Sequence, residues 1–139
     1  MMLRALMLTT LVATLLCTAL FAAPSQARQN EQDIVYYGFD PDIVTNYVTS
    51  GRRSLGYIRV TVELMVADRR YLADIEHHEP LILNTIIRIF NQQHEDKIKS
   101  LTGREEIRQT ILQELQQILE RETGQQMLRD LLFTKYLYQ

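Results

Sequence analysis

Histidine and carboxylate side chains gather at two places in this chain, and metal binding or acid–base work is the chemistry they would do. The first is Glu76-His77-His78-Glu79 and the second His94-Glu95-Asp96. Ligands on one helix must share a face, which needs spacings of three or four residues. Adjacent histidines point about 100° apart around a helix, so one turn cannot chelate with both His77 and His78. The stretch reads instead as a polar helix end before Pro80. Nucleophilic chemistry has no foothold: there is no GxSxG elbow, P-loop or GxGxxG, and the five glycines stand singly. Paired carboxylates, Asp40 with Asp42 and Glu105 with Glu106, read as turn and helix-start residues. Arg52-Arg53 reads as a solvated loop tip. Arg69-Arg70 opens a helix where the dipole does not favour cations, which leaves room for an outside partner. No catalytic, cofactor-binding or metal residue is assigned, and no cofactor is expected.

The elements that would position these residues follow from periodicity. Ile34-Val35-Tyr36-Tyr37 ends at Gly38 and predicts a short strand. Asp40-Pro41-Asp42 is turn chemistry, and Ile43 to Val48 predicts a second strand. Ser50 to Ser54 makes a loop before the strongest strand, in which Ile58, Val60, Val62, Leu64 and Val66 alternate with Tyr57, Arg59, Thr61, Glu63 and Met65. That alternation buries one face and leaves the other at least partly wet. Asp68 is a good N-cap, and Tyr71, Leu72, Ile75, Ile82, Leu83, Ile86, Ile87 and Phe90 follow helical spacing. Pro80 predicts a kink, or a short helix followed by a second. His94 to Lys99 predicts a short helix or turn.

Thr102-Gly103-Arg104-Glu105 matches a capping box. The helix behind it carries Ile107, Ile111, Leu112, Leu115, Ile118 and Leu119 on one stripe, and Gly124 suits its end. Leu131 to Tyr138 predicts a closing strand. Strands split around helices indicate an α+β fold, a mixed sheet with helices packed on one face.

The whole chain sets the outer limits. Its 139 residues suit one domain. With 15 Lys+Arg against 17 Asp+Glu it offers no basic excess for phosphate neutralisation, which counts against nucleic acid as a partner. A single cysteine makes neither an internal disulfide nor a multi-cysteine zinc site. Much of the 46% hydrophobic content lies at the start, where Ala5 to Ala23 is uncharged behind Arg4. Residues 1–27 therefore read as a signal peptide or a membrane anchor.

Pro24-Ser25-Gln26-Ala27 supplies a helix breaker and small residues for a cut after Ala27, and that reading is preferred. The anchor reading meets a run only just long enough to span and diluted by four threonines, Thr9, Thr10, Thr14 and Thr18. Either way the rest of the chain is exported. Cys17 follows Leu16 rather than a small residue, so it does not read as a lipidation site. Residues 28–33 read as a linker and 34–139 as the exported domain. That domain offers more apolar surface than chemistry, above all Phe133, Tyr136 and Tyr138 in the closing strand. Two uses fit: core packing, or sheet edges and helix faces that continue into neighbouring copies.

Leu131-Leu132-Phe133-Thr134-Lys135-Tyr136-Leu137-Tyr138-Gln139 resembles the C-terminal signature of the FliL family of flagellar basal-body-associated proteins, V-L-F-T-x-F/Y-x-x-Q. Asp42-Ile43-Val44-Thr45-Asn46-Tyr47 is similar to that family's first core strand, and Tyr57 to Leu64 to its long alternating strand. Pro80-Leu81-Ile82 with Ile86-Ile87, and Leu101 to Glu105, fall in the family's order. The resemblance runs from about Ile34 to the end. It implies a single stomatin/prohibitin-like domain on the periplasmic side of the bacterial inner membrane. Homo-oligomeric rings around the stator units, support of flagellar rotation, swimming and swarming, and no catalysis are implied with it. Family members carry a cytoplasmic tail and a firm membrane helix, whereas only Met1 to Arg4 precedes the apolar run here. Cleavage would leave the domain free in the periplasm. A periplasmic module binding a small ligand or peptide, unconnected with the motor, is the alternative.

Overall fold

Alternating β-branched and polar residues make Gly56–Val66 the longest paired element and the organiser of everything around it. The computed structural model describes residues 33–51 and 55–139. The leader, the linker to residue 32 and the Arg52-Arg53-Ser54 part of the loop lie outside them. The strands are β1 (Val35–Gly38), β2 (Ile43–Tyr47), β3 (Gly56–Val66) and β4 (Leu128–Tyr138). A 3₁₀ turn, Arg69–Tyr71, leads into α1 (Leu72–His77), α2 (Glu79–Asn91), α3 (Glu95–Lys99) and α4 (Leu101–Thr123).

Strand β3 is central. Its Ile58–Val66 stretch pairs with β4 along one side. The other side takes β2 against Gly56–Val60 and β1 against Glu63–Val66, end to end. Every one of these pairings is antiparallel, which corrects the expectation of a mixed sheet. The helical block leaves β3 at Val66 and returns to pair Leu128 with that same residue, while the Ala67 amide donates to the Met127 carbonyl at 2.7 Å. A chain delivered back to the end it left can only run the other way. The parallel Val48–His94 bridge lies outside the strands.

The predicted faces are those observed. Ile58, Val60, Val62, Leu64 and Val66 are fully buried. They pack with Ile82, Ile86 and Phe90 of α2 and with Ile107, Ile111, Leu115 and Leu119 of α4 in one core. Leu112 and Ile118, on the flank of the α4 stripe, are half-buried. Pro80 sits in the first turn of α2, where its missing N–H has no carbonyl to serve. Gly124 ends α4 in the left-handed region at φ 73°.

The start of α4 differs from expectation. Ser100, not Thr102, is the N-cap: its backbone is extended and its Oγ accepts from the Gly103 amide at 3.0 Å. Packing decides this, because a Cβ on Gly103 would lie 2.1 Å from the Lys97 carbonyl oxygen. Only glycine lets the first turn of α4 close so tightly on α3. Asp68 caps as expected, accepting from the Arg70 amide at 3.0 Å, but it starts the 3₁₀ turn rather than an α-helix.

Candidate contact surface

The residues that suggested acid–base or metal chemistry are held apart or used in structure. His77 ends α1 and His78 is the junction to α2, their rings edge to face at 5.0 Å. His94 stands just before α3, without a side-chain capping bond, beyond the far end of α2, a helix about 20 Å long. Among the described residues no group of three or more His, Cys, Asp or Glu could hold a metal ion. Glu79 accepts from the Tyr37 hydroxyl, and that bond, with burial, pushes the phenol up to about 12. Asp42 accepts from Lys135 Nζ at 2.7 Å and from Thr61 Oγ1 at 2.6 Å, which lowers its pKa. It therefore ties the turn after β1 to β3 and β4 instead of bonding its own backbone.

Glu105 binds Arg108, and Glu106 lies 3.1 Å from Lys97. Arg69 pairs with Asp33 at 2.7 Å, and Arg70 lies 3.6 Å from Asp68 with its guanidinium over the Tyr71 ring. The room left for an outside partner is thus filled, at Arg69, by the chain itself.

The closing aromatics divide. Phe133 and Tyr136 face inward against Phe90, with ring centroids at 5.9 and 6.3 Å. Arg104 covers the pair, its guanidinium carbon 4.8 Å from the Tyr136 centroid, and donates to the Phe133 carbonyl at 3.1 Å. Burial raises the Tyr136 phenol to about 12, and its hydroxyl donates to the Ile98 carbonyl at 3.2 Å. These two are packing residues. Tyr138 is 44% exposed.

The uncovered apolar surface lies on the opposite face of the sheet. Register places Val44, Arg59 and Leu137 side by side across β2, β3 and β4, and Asn46, Tyr57 and Gln139 in the next row. Val44 is 55% exposed, Tyr57 51% and Leu137 57%. Around Arg59 they line a shallow cleft of about 270 Å³. Arg59 makes no ion pair among the described residues, although its charge helps hold Asp42 ionised. A cation ringed by exposed apolar side chains suits a partner that brings apolar groups and a carboxylate. Alternation alone put Tyr57 and Arg59 on the wet face. Their apolar neighbours Val44 and Leu137 come from remote strands, and no signal within β3 announces them.

Comparison with known proteins bears on what such a surface serves. The family described as "Flagellar basal body-associated protein FliL" matches residues 36–139. This chain belongs to the FliL family. A flagellar protein FliL from Aquifex aeolicus (strain VF5) is 28% identical over 105 residues, which cover 76% of this chain. The chain spans 62% of the length of that curated relative. The FliL-like ending is built into the fold: Leu131 and Phe133 are buried, and Thr134 is the extra residue where the β3–β4 register shifts. The Gln139 carbonyl accepts from the buried Tyr47 hydroxyl at 2.8 Å. Its amide and carbonyl also pair with Tyr57.

Proposed function

We propose that this chain is a non-enzymatic scaffold associated with the flagellar basal body, which oligomerises near the stator and supports flagellar rotation in swimming and swarming. The single observation that carries the reading is the family match over residues 36–139. In this reading residues 1–27 export or anchor the chain, 28–33 are a linker, and 34–139 form a stomatin/prohibitin-like domain on the periplasmic side of the inner membrane. The outer sheet face around Arg59 gives such a scaffold a contact surface, because Val44, Tyr57 and Leu137 would leave water on association. Work of this kind needs complementary surfaces and no reacting group.

Deleting the gene tests it. Swimming in liquid and spreading on soft agar should fall while filaments are still assembled. Unchanged motility on both would overturn the motor reading, and a monomeric protein co-purifying with a small ligand or peptide would favour a binding module instead.

A further inference from the structure

A second concave site lies at the other end of the sheet, where β3 exits and β4 enters. It is a cleft of about 430 Å³ lined by Asp68, Arg70, Tyr71, Gln126 and Arg129 among others. Arg129 is the extra residue at the β3–β4 irregularity, where pairing passes from Met65–Asp130 to Val66–Leu128. A bulge of this kind re-aims its side chain out of the ladder. Arg129 has no carboxylate partner among the described residues, and nearby Asp130 is committed to Arg108. Arg70 lines the same cleft. Its Nη2 donates to the Tyr71 hydroxyl at 3.2 Å, and its guanidinium carbon lies 5.0 Å from that ring's centroid. The one carboxylate in the lining, Asp68, already caps the Arg70 amide and lies 3.6 Å from Arg70 Nε. Two guanidinium groups thus meet one occupied carboxylate, and the cleft keeps a net positive charge.

The geometry points to a phosphate-binding cleft between Arg70 and Arg129, suited to the headgroup of an anionic phospholipid. Planar guanidinium forks match phosphate oxygens in pairs, and a second fork in the same cleft adds further donors for the same group. The volume is large enough to admit a headgroup. The place fits too. The chain enters the domain at Asp33, whose carbonyl accepts from the Arg69 amide at 3.0 Å and whose carboxylate pairs with Arg69. Residues 28–33 reach at most about 20 Å when extended. Were residues 1–27 kept as an anchor, this is the end by which the domain would be tethered. The lipid as source rests on reading residues 1–27 as a membrane anchor that is kept, since cleavage would leave the domain free. The phosphate chemistry does not, and neither part depends on the flagellar role.

The full chain, with Arg70→Gln and Arg129→Gln singly and together, is sedimented with phosphatidylcholine vesicles with and without phosphatidylglycerol. Isothermal titration with inorganic phosphate forms the second arm. The apolar N-terminal segment contributes equally to every variant, so the readout is the gain in binding on adding phosphatidylglycerol. We expect each arginine to account for about fivefold of that gain. Arg129→Lys should fall between wild type and Arg129→Gln. Lys97→Gln, on α3 and paired with Glu106 outside the cleft lining, should leave the gain intact. Heat with inorganic phosphate that the double variant loses, without any phosphatidylglycerol gain, would assign the cleft to a soluble phosphate compound and overturn the lipid. The proposal fails altogether if the double variant matches wild type in both arms while its thermal unfolding is unchanged. Motility plays no part in either readout, so failure here is distinct from failure of the flagellar reading.

Discussion

Tyr47, Gly56 and Gln139 show how narrowly single residues fix this fold. Tyr47 is paired with Gly56 and lays its ring where that glycine lacks a side chain; a Cβ there would be 2.2 Å from Tyr47 Cζ. The ring is only 1% exposed, and its hydroxyl is bonded to the last residue of the chain, so it has little room to retreat. Gly56→Ala should therefore cost about 1–3 kcal/mol through overpacking, measured by urea unfolding. The closing aromatics separate on the same measurement. Phe133→Ala, which empties a site against Phe90, should cost about 3–5 kcal/mol. Tyr138→Ala, half in water, should cost less than about 1 kcal/mol. Equal losses at the two positions would show that both rings belong to the core.

At the scale of elements, the joint between α4 and β4 manages an edge strand. With β3 on its inner side, β4 presents its other edge outward, and unpaired carbonyls along an edge invite pairing with other chains. Three α4 side chains cap that edge. Gln116 donates to the Leu128 carbonyl at 3.0 Å, Arg108 to Leu131 at 3.0 Å and Arg104 to Phe133 at 3.1 Å. Arg108 also binds Asp130 and Glu105. Arg108→Met keeps the apolar stem and removes the donors, so it should destabilise by about 1.5–3 kcal/mol and promote aggregation, seen by light scattering.

The same joint has a pH signature. Hydrogen bonds from Arg108 hold the Glu105 carboxyl down at about 2. Folding thus favours its ionised form, and the stabilisation is present above the ordinary carboxylate range and lost as pH falls through about 2. Glu105→Gln should flatten the decline in stability between about pH 4.3 and 2, followed by chemical denaturation at stepped pH. An unchanged acid limb would mean that the pair is equally formed in the unfolded chain.

For the whole molecule, the two faces of the sheet divide the labour: one is buried under α2 and α4, the other carries Val44, Tyr57 and Leu137 around Arg59. Removing the charge with Arg59→Gln touches no core residue and leaves the Asp42 bonds to Thr61 and Lys135 in place, so unfolding should shift by no more than about 0.5 kcal/mol. If this face makes the assembly contact, the variant should run as a smaller species in analytical ultracentrifugation and fail to restore swarming in a deletion strain. Normal assembly and swarming would remove this face from the scaffold. The tethering of the domain is read from the mature N-terminus: cleavage after Ala27 exposes Arg28 as the first residue, whereas an anchored chain keeps Met1 in the membrane fraction.

What the sequence by itself determined is whatever a few neighbouring residues encode. The alternation from Tyr57 to Val66 fixed the buried face of β3. The stripe from Ile107 to Leu119 fixed that of α4, Pro80 fixed the break between α1 and α2, and Gly124 fixed a stop. Each is a local periodicity or a backbone restriction, and the closing Leu131–Gln139 motif added the family. Only the tertiary structure decided the antiparallel course of β4, because strand direction depends on where the helical block returns the chain. It moved the α4 cap from Thr102 to Ser100, because Gly103 had to fit against the Lys97 carbonyl. It also buried Phe133 while exposing Tyr138. Both surfaces proposed for partners belong to this second class. Val44 comes beside Arg59 and Leu137 through strand register, and Arg70 and Arg129 come to line one cleft from segments remote in sequence. Such contacts are set by the packing of the whole core, which no short stretch of sequence contains.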